Sequence, residues 1–571
     1  MIISLLNTGE QFDLPLDLKL NVEAASPIFS KEGAMSLPFN IPLTDKNRRL
    51  LDFPDRLDIY DMTDQAIRSI KERSVLVTQG SWQQVATMDI SGCSEKSAEA
   101  TLYFNESNIW SLLGDITLPE AMAGLHFGAI PGVGADLAIY RKNVFDAINY
   151  MFMYPNGEPE TGYTDPYAEL IDNREKTQDR STTYQDWIRM WYYRGQTLKY
   201  IPEGTSFRYR DFFIAPLYTK DGWLNALDPS FDAISPRFSL KETTDYLKIS
   251  PFLRLDYVLH KIFEKIGKTL TIDFSSLPEW LNDDGTFREQ WEAICILNNT
   301  MDALYPGCIY YSTLVPEISC KDFLNAVKAQ FGCFFRELPD GIIKMEFVLP
   351  VLSNNAIKSF NTGIIQQITF NTDVEYKPSE GLEKIENPNI GSAWMDMHDP
   401  TYYHYIYQRD IFPRVFVANL DGFCQRTTTS AVGDDDTTKN TECPLSFVTI
   451  DFTFINKDYT YDHLHSDVCA YYPCARNTYI EYWSNGGVKE LPYYNTEEGS
   501  LFYEMNRHYE AISKNCDIVT LQEAFTIEEL INFDFSVPYI KEGRILWPSK
   551  LQYELTNTDK ILATIKLVAP K

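Results

Sequence analysis

The stretch from Ile318 to Val348 limits what this chain can fold into more than any other, because it spells a helix, a glycine and a β-hairpin without a break. Ser319 is placed to cap a helix, Asp322 follows three residues on as the short member of a capping box, and Ile318 can staple onto Phe323. Phe323, Leu324, Val327 and Phe331 keep the three-and-four spacing of one buried face, and Gly332 stands where a left-handed C-terminal residue is needed. Phe334 to Leu338 and Ile342 to Val348 then read as two strands turned by Pro339, Asp340 and Gly341.

An earlier stretch has the same grammar. Ser250 is expected to cap, Pro251 to take the first helical position, and Leu255, Val258, Leu259, Ile262, Phe263 and Ile266 to form the buried stripe before Gly267. Leu270, Ile272 and Phe274 alternate with polar residues as the following strand. Both units open with Ile-Ser, which suggests an internal duplication.

The rest of the chain divides around these units. Residues 1–105 read as a β domain: Leu18, Leu20 and Val22 alternate, as do Met35, Leu37, Phe39, Ile41 and Leu43. Pro38 and Pro42 push the second of these to an edge or an irregular pairing. Thr44 or Asp45 can cap a short helix through Leu51, and strands return at Ser74 to Val77, Val85 to Ser91 and Ala98 to Phe104, the content of a small barrel or sandwich. Residues 106–245 read as a mixed accessory insertion, with helices at Val144 to Met153 and Tyr184 to Tyr193 and a loop at 155–162. Trp187, Trp191, Tyr192 and Tyr193 suit a core helix better than a contact surface.

The paired units fill 246–350, with a turn at Asn282 to Gly285. Residues 351–400 and 498–571 form a second β domain, with strands expected at Ile364 to Phe370, Val374 to Tyr376, Asp534 to Val537, Ile545 to Trp547, Leu551 to Leu555 and Ile561 to Val568, and a loop-rich crossing from Ser379 to Pro400. Residues 401–497 form a Tyr-rich β insertion. The fold class is α+β, mainly β, and multidomain; about three to five domains fit a chain of this length.

Charge narrows function. With 51 Lys+Arg against 80 Asp+Glu the formal net is −29, so holding nucleic acid through its phosphates would have to overcome repulsion across the whole molecule, which argues against a sequestering binder and leaves open a passage that lets DNA move without sticking. The N-terminus lacks the basic and apolar regions of a signal peptide, and no run approaches the ~20 apolar residues of a membrane span. The ten cysteines hold no Cys-x-x-Cys pair and read as reduced residues.

Candidate chemistry is sparse. His463 and His465 lie near Asp462, Asp467, Cys469 and Cys474, but in no recognised ligand spacing, so exposed loop histidines beside a buried cysteine are the better reading. Asp434 to Asp436 lack the alternating ligands of a calcium loop. No nucleophile elbow, phosphate loop, zinc-protease helix or dinucleotide fingerprint occurs. No catalytic, cofactor-binding or metal-binding residue is assigned, and no cofactor is expected.

The unit from Ser319 to Met345 resembles the helix, glycine, hairpin segment of phage tail baseplate hub proteins and their relatives in contractile injection systems. The run from Phe533 to Leu555 is similar to a closing tube-domain hairpin of such proteins. Phe12-Asp-Leu-Pro and the run from Ser36 to Leu51 look like tail-associated proteins of phages and prophages of Bacteroides-like bacteria. The resemblance implies two tube-like β-barrel domains per chain, a homotrimer presenting six of them, and a non-enzymatic virion protein at the tail tip that joins tube to tip. It also implies tail-tube and other tail-tip proteins as partners, an acidic bore that passes DNA transiently, and assembly in the bacterial host cytoplasm. A receptor- or glycan-binding tail module, with Tyr and Trp of 401–497 stacking on sugars, is the alternative; a tail-associated hydrolase comes third.

Overall fold

The computed structural model describes residues 1–153, 211–240, 249–277, 291–396, 414–421 and 445–571, apart from short gaps within these ranges. The protein is α+β and mainly β, built from several sheets around more than one core. The loop at 155–162, the aromatic helix at 184–193, the turn at 282–285, the acidic loop at 433–436, Asp462 and His463 lie outside the described residues. No described helix is long and apolar enough to cross a membrane.

The largest sheet has thirteen strands. From the first part of the chain come β1 (Ile2–Leu5), β2 (Leu20–Ala25), β3 (Ala34–Ser36), β4 (Phe39–Pro42), β5 (Arg73–Gln79), β6 (Trp82–Cys93) and β7 (Ser97–Phe104). From the last part come β8 (Lys358–Ser359), β9 (Ile364–Thr372), β10 (Cys516–Thr526), β11 (Tyr539–Lys541), β12 (Arg544–Leu555) and β13 (Lys560–Ala569). Their order is β1-β5-β6-β7-β3-β2-β12-β13-β10-β9, with β4 on β7, β11 on β12 and β8 on β11. The two ends of the chain therefore share one sheet, and one core: Val75, Val77, Met88, Ala100 and Leu102 pack in the same cluster as Leu521, Leu551, Ile561, Ala563 and Ile565. Period-two alternation puts these residues on the inner face.

The two ends also repeat one topology. Strands β1, β2, β3 with β4, β5, β6 and β7 correspond, in chain order and in pairing, to β8, β9, β10, β11, β12 and β13. A short Thr-capped helix follows the third strand in each: Thr44 Oγ1 accepts from the Asn47 N–H ahead of Asp45–Leu50, and Thr526 Oγ1 accepts from the Glu529 N–H ahead of Ile527–Ile531. β6 and β12 are each twelve residues long, and each is reached through a two-residue turn. One pairing differs, since β1 runs antiparallel to β5 whereas β8 runs parallel to β11. The second copy also carries residues 373–515 between its second and third strands.

Those inserted residues and the chain between the copies build a second body. The helix Cys320–Phe331 starts at Ser319, whose hydroxyl accepts from the Asp322 N–H, and ends at Gly332 in the left-handed region with φ 54°. Most of its residues are buried, Phe323, Leu324, Val327, Ala329 and Phe331 among them, while Lys321, Asp322 and Asn325 are half-buried. The hairpin Cys333–Glu337 with Ile342–Phe347 follows as expected, and Thr269–Ile272 adds to it in parallel, so the two helix-glycine-strand units meet in one three-stranded sheet.

Several expectations are corrected. The earlier helix spans Leu255–Lys265 and begins after Arg254, not after Ser250. Ser250 is committed elsewhere: its N–H donates to Asn225 Oδ1 and its hydroxyl to Asn298 Oδ1, and Phe252–Leu253 pairs with Phe212–Phe213. The alternating run Met35 to Leu43 breaks between β3 and β4, where Leu37 is 47% exposed and Pro38 cannot donate; β4 then pairs on β7 alone. Neither Val374 nor Tyr376 lies in a strand, and Pro378–Lys384 is a 3-10 helix followed by a strand, Asn389–Asp396, rather than loop. Asp534 to Val537 is a turn in which the Asp534 carboxylate accepts from the Ser536 N–H; the strand starts at Tyr539. The helix Leu137–Met153 begins earlier than Val144.

Candidate functional site

No chemically poised group stands out among the described residues. Burial pushes the Cys295, Cys320 and Cys333 thiols up to about 12, so they are inert core residues rather than nucleophiles. Cys308 and Cys516 are buried as well, and Cys93 is exposed. No group of three or more His, Cys, Asp or Glu residues that could hold a metal occurs among the described residues. His465, Asp467, Cys469 and Cys474 fall on one strand, Leu464–Arg476, paired with Phe447–Tyr461. A groove of about 410 Å³ lies between Leu352, Ile357, Pro538, Ile545, Trp547 and Pro570. Its one cationic side chain, Arg544, is bound to Asp517 and to the Pro570 carbonyl.

The open edges of the large sheet are the more informative feature. At one end, β1 is covered by its own chain, since the Leu5 N–H donates to the Glu10 carbonyl and the Phe12 N–H to the Ile3 carbonyl. At the other end, β9 is bare along its outer side among the described residues. It reads Ile-Ile-Gln-Gln-Ile-Thr-Phe-Asn-Thr, with no charged residue to discourage pairing. Ile364 is 58%, Ile368 37% and Phe370 63% exposed.

This edge is held at both ends by carboxylates from β10. The buried Glu523 accepts from the Thr362 and Gly363 N–H groups, fixing the turn that starts β9. Asp517 accepts from the Asn371 N–H at 3.3 Å and pairs with Arg544 at 3.1 Å, fixing the end. Burial pushes the Asp517 carboxyl up, but the Asn371 N–H and the Arg544 guanidinium outweigh it and hold it below its usual value. Two irregularities, between Ile365 and Gln367 and between Thr369 and Thr372, twist the strand without covering it.

The neighbours of β6 change along its length. Its first half pairs with β5 and its second half with β7, and Thr87 and Met88 pair with both, so the two neighbours lie on opposite sides. Residues Asp89–Cys93 consequently have strand partners on one side only among the described residues.

The joint between the two repeats shows what such edges accept. β2 lies antiparallel on β12, from Leu20 opposite Leu555 to Ala25 opposite Lys550. Leu20, Val22, Leu551, Tyr553 and Leu555 are buried there. Glu23 takes a hydrogen bond from Gln552 and an ion pair from Lys550, and Lys19 reaches Glu554 at 3.0 Å. Sequence reasoning found these strands by alternation but had no signal for their mutual pairing.

Neither a family model nor a curated protein sequence matches the chain. Among solved structures it is similar to the prophage MuSo2 43 kDa tail protein from Shewanella oneidensis, at 8% identity over 99% of this chain and 97% of that one, with a TM-score of 0.28.

Proposed function

We propose that this chain is a structural protein of a phage tail: a hub-like ring subunit at the tail tip that joins the tail tube to the distal tip. It works through shape and association rather than catalysis. The observation that supports this reading is the tandem repeat joined head to tail, because a chain holding two copies of one β unit contributes two positions to a ring. Three such chains supply six positions, the number that the resemblance to tail hub proteins implies for a piece facing a six-fold tube. A formal charge of −29 suits a bore through which DNA passes without dwelling. Its partners are further copies of itself and neighbouring tail-tube and tail-tip proteins.

Light scattering on the purified protein, with negative-stain imaging, tests the proposal. A closed trimeric ring with a central hole is the expected result. A particle that stays monomeric at every concentration and binds no tube subunit overturns it.

A further inference from the structure

One loop is apolar, uncharged and held out from the body beneath it. Across residues 121–135 the chain carries no Asp, Glu, Lys or Arg. His126–Phe127 pairs with Ile309–Tyr310, and the loop that follows leads into the helix Leu137–Met153. Val133 is fully exposed between Gly132 and Gly134, which set no side chain beside it, and Ile130 is exposed as well. Leu137 and Ile139, in the first turn of the helix, and Tyr305, on the neighbouring loop, are also exposed.

These side chains belong to one patch, because they gather around Gly307. A carbon added to Gly307, whose φ is 91°, would lie 2.7 Å from Pro131, 3.2 Å from Leu137 and 3.3 Å from Tyr140. Arg141 closes the other side, where its guanidinium donates to the Tyr305 carbonyl and stacks over the Tyr305 ring at 4.5 Å. The loop is braced from behind, so its apolar side chains stay in solvent instead of folding onto the core.

Its polar groups are partly satisfied already. The Gly132 carbonyl accepts from the Ala135 N–H at 3.0 Å, the Gly128 carbonyl accepts from His126 Nδ1 at 2.8 Å, and Pro131 has no N–H to satisfy. The Asp136 carboxylate accepts from the Ala138 N–H at the start of the helix, where the macrodipole favours a negative charge. Moving this loop out of water therefore strands few backbone groups.

We propose that the loop dips into the surface of a lipid bilayer, to the boundary between headgroups and acyl chains. The sequence of chemistry favours lipid over a protein groove. Ile130 and Val133 are aliphatic, Tyr305 beside them offers a ring and a hydroxyl, His126 precedes the loop, and Arg141 and Lys142 lie about one helical turn beyond Leu137. A bilayer surface has the same layers: acyl chains for aliphatic groups, an interface for tyrosine, and phosphates for Lys and Arg. A lone side chain flanked by glycines also suits a fluid surface, which needs no matching cavity. The formal charge of −29 opposes an anionic bilayer, so the surface it fits is zwitterionic. This goes beyond the ring-subunit reading and does not depend on it.

Flotation of the full chain with phosphatidylcholine vesicles tests the proposal. Wild type should rise with the vesicles. Val133→Asp puts a charge where an apolar side chain would be buried and should weaken binding about tenfold or more, while Val133→Trp should strengthen it. The site is exposed, so both variants should melt with wild type. Val85→Asp, at an exposed valine on β6, should float as wild type does. A wild type that never floats, or a Val133→Asp variant that floats equally well, overturns the proposal. So does a wild type that ignores vesicles but binds another protein through this loop and loses that contact on Val133→Asp.

Discussion

Val22, near the start of the chain, stands directly opposite Tyr553, near its end, and both are buried. That pair ties two copies of one β unit into a single sheet over a single core. Cooperativity between the chain ends is the immediate consequence.

Leu20→Ala should destabilise the whole sheet. Leu20 is fully buried opposite Leu555, and truncating such a side chain costs about 2–5 kcal/mol. In urea unfolding, probes in β6 and in β13 should shift together. Separate transitions for the two ends would show that the joint does not couple them.

Acid should loosen the same joint. Burial pushes the Glu23 carboxyl up, but Lys550 and Gln552 outweigh it and hold it below its ordinary value. A depressed carboxylate contributes stability that is fully present above its unfolded value, about 4.3, and is lost as pH falls through the folded value. Wild type should therefore lose stability relative to Glu23→Gln as pH drops below about 4, and the gap between them should be constant near neutrality. Asp517, depressed against burial by Asn371 and Arg544, should act in the same direction at β9. A pH-independent difference between wild type and Glu23→Gln would refute the assignment.

Gly332→Ala and Gly267→Ala form a matched pair. Both glycines have positive φ, 54° and 74°, so each alanine incurs about 1–2 kcal/mol of left-handed strain. At Gly267 nothing lies within 4 Å of the added carbon, whereas at Gly332 it would come 2.8 Å from the Met505 carbonyl oxygen. Gly332→Ala should be clearly the worse in thermal unfolding, and equal losses would mean that the helix Leu501–Ser513 does not press on that turn.

Thiol labelling reads burial directly. Cys93 should react with an aromatic disulfide reagent in the native protein, while Cys295, Cys320 and Cys333, with thiols raised to about 12, should stay silent until the fold opens. Fast labelling of any of the three in native buffer would contradict the packing.

Thr526→Ala should cost about 1 kcal/mol. Its hydroxyl caps Ile527–Ile531, and Glu529 returns the bond to the Thr526 N–H as a full capping box. Thr44→Ala, at the corresponding place in the first copy, should cost a similar amount, and the two losses should add in the double variant. Chemical denaturation of the three variants checks both statements.

Much of this fold is local and was legible in the residues themselves. Ser319 before an apolar three-and-four stripe and Gly332 after it determined a helix and its end, because capping and left-handed φ depend on a few consecutive residues. Alternation located β5, β6, β7, β9, β12 and β13 for the same reason. Ser250 misled: a serine followed by proline can cap a helix, but a buried amide network from Asn225 and Asn298, far along the chain, claimed it first. The helix Leu501–Ser513 carries an equally local signal, with Ser500 as its N-cap accepting from the Tyr503 N–H.

The sequence by itself determined where most of the elements lie, and that the chain is acidic, β-rich and without a recognisable catalytic motif. Tertiary structure alone decided that β2 lies on β12, that the chain's two ends share one sheet and one core, and that β9 stands at the edge of that sheet among the described residues. The physical reason is that backbone hydrogen bonds between strands are the same whatever the side chains. Alternation says that a strand exists and which face it buries, whereas its neighbour is chosen by the packing of the whole core.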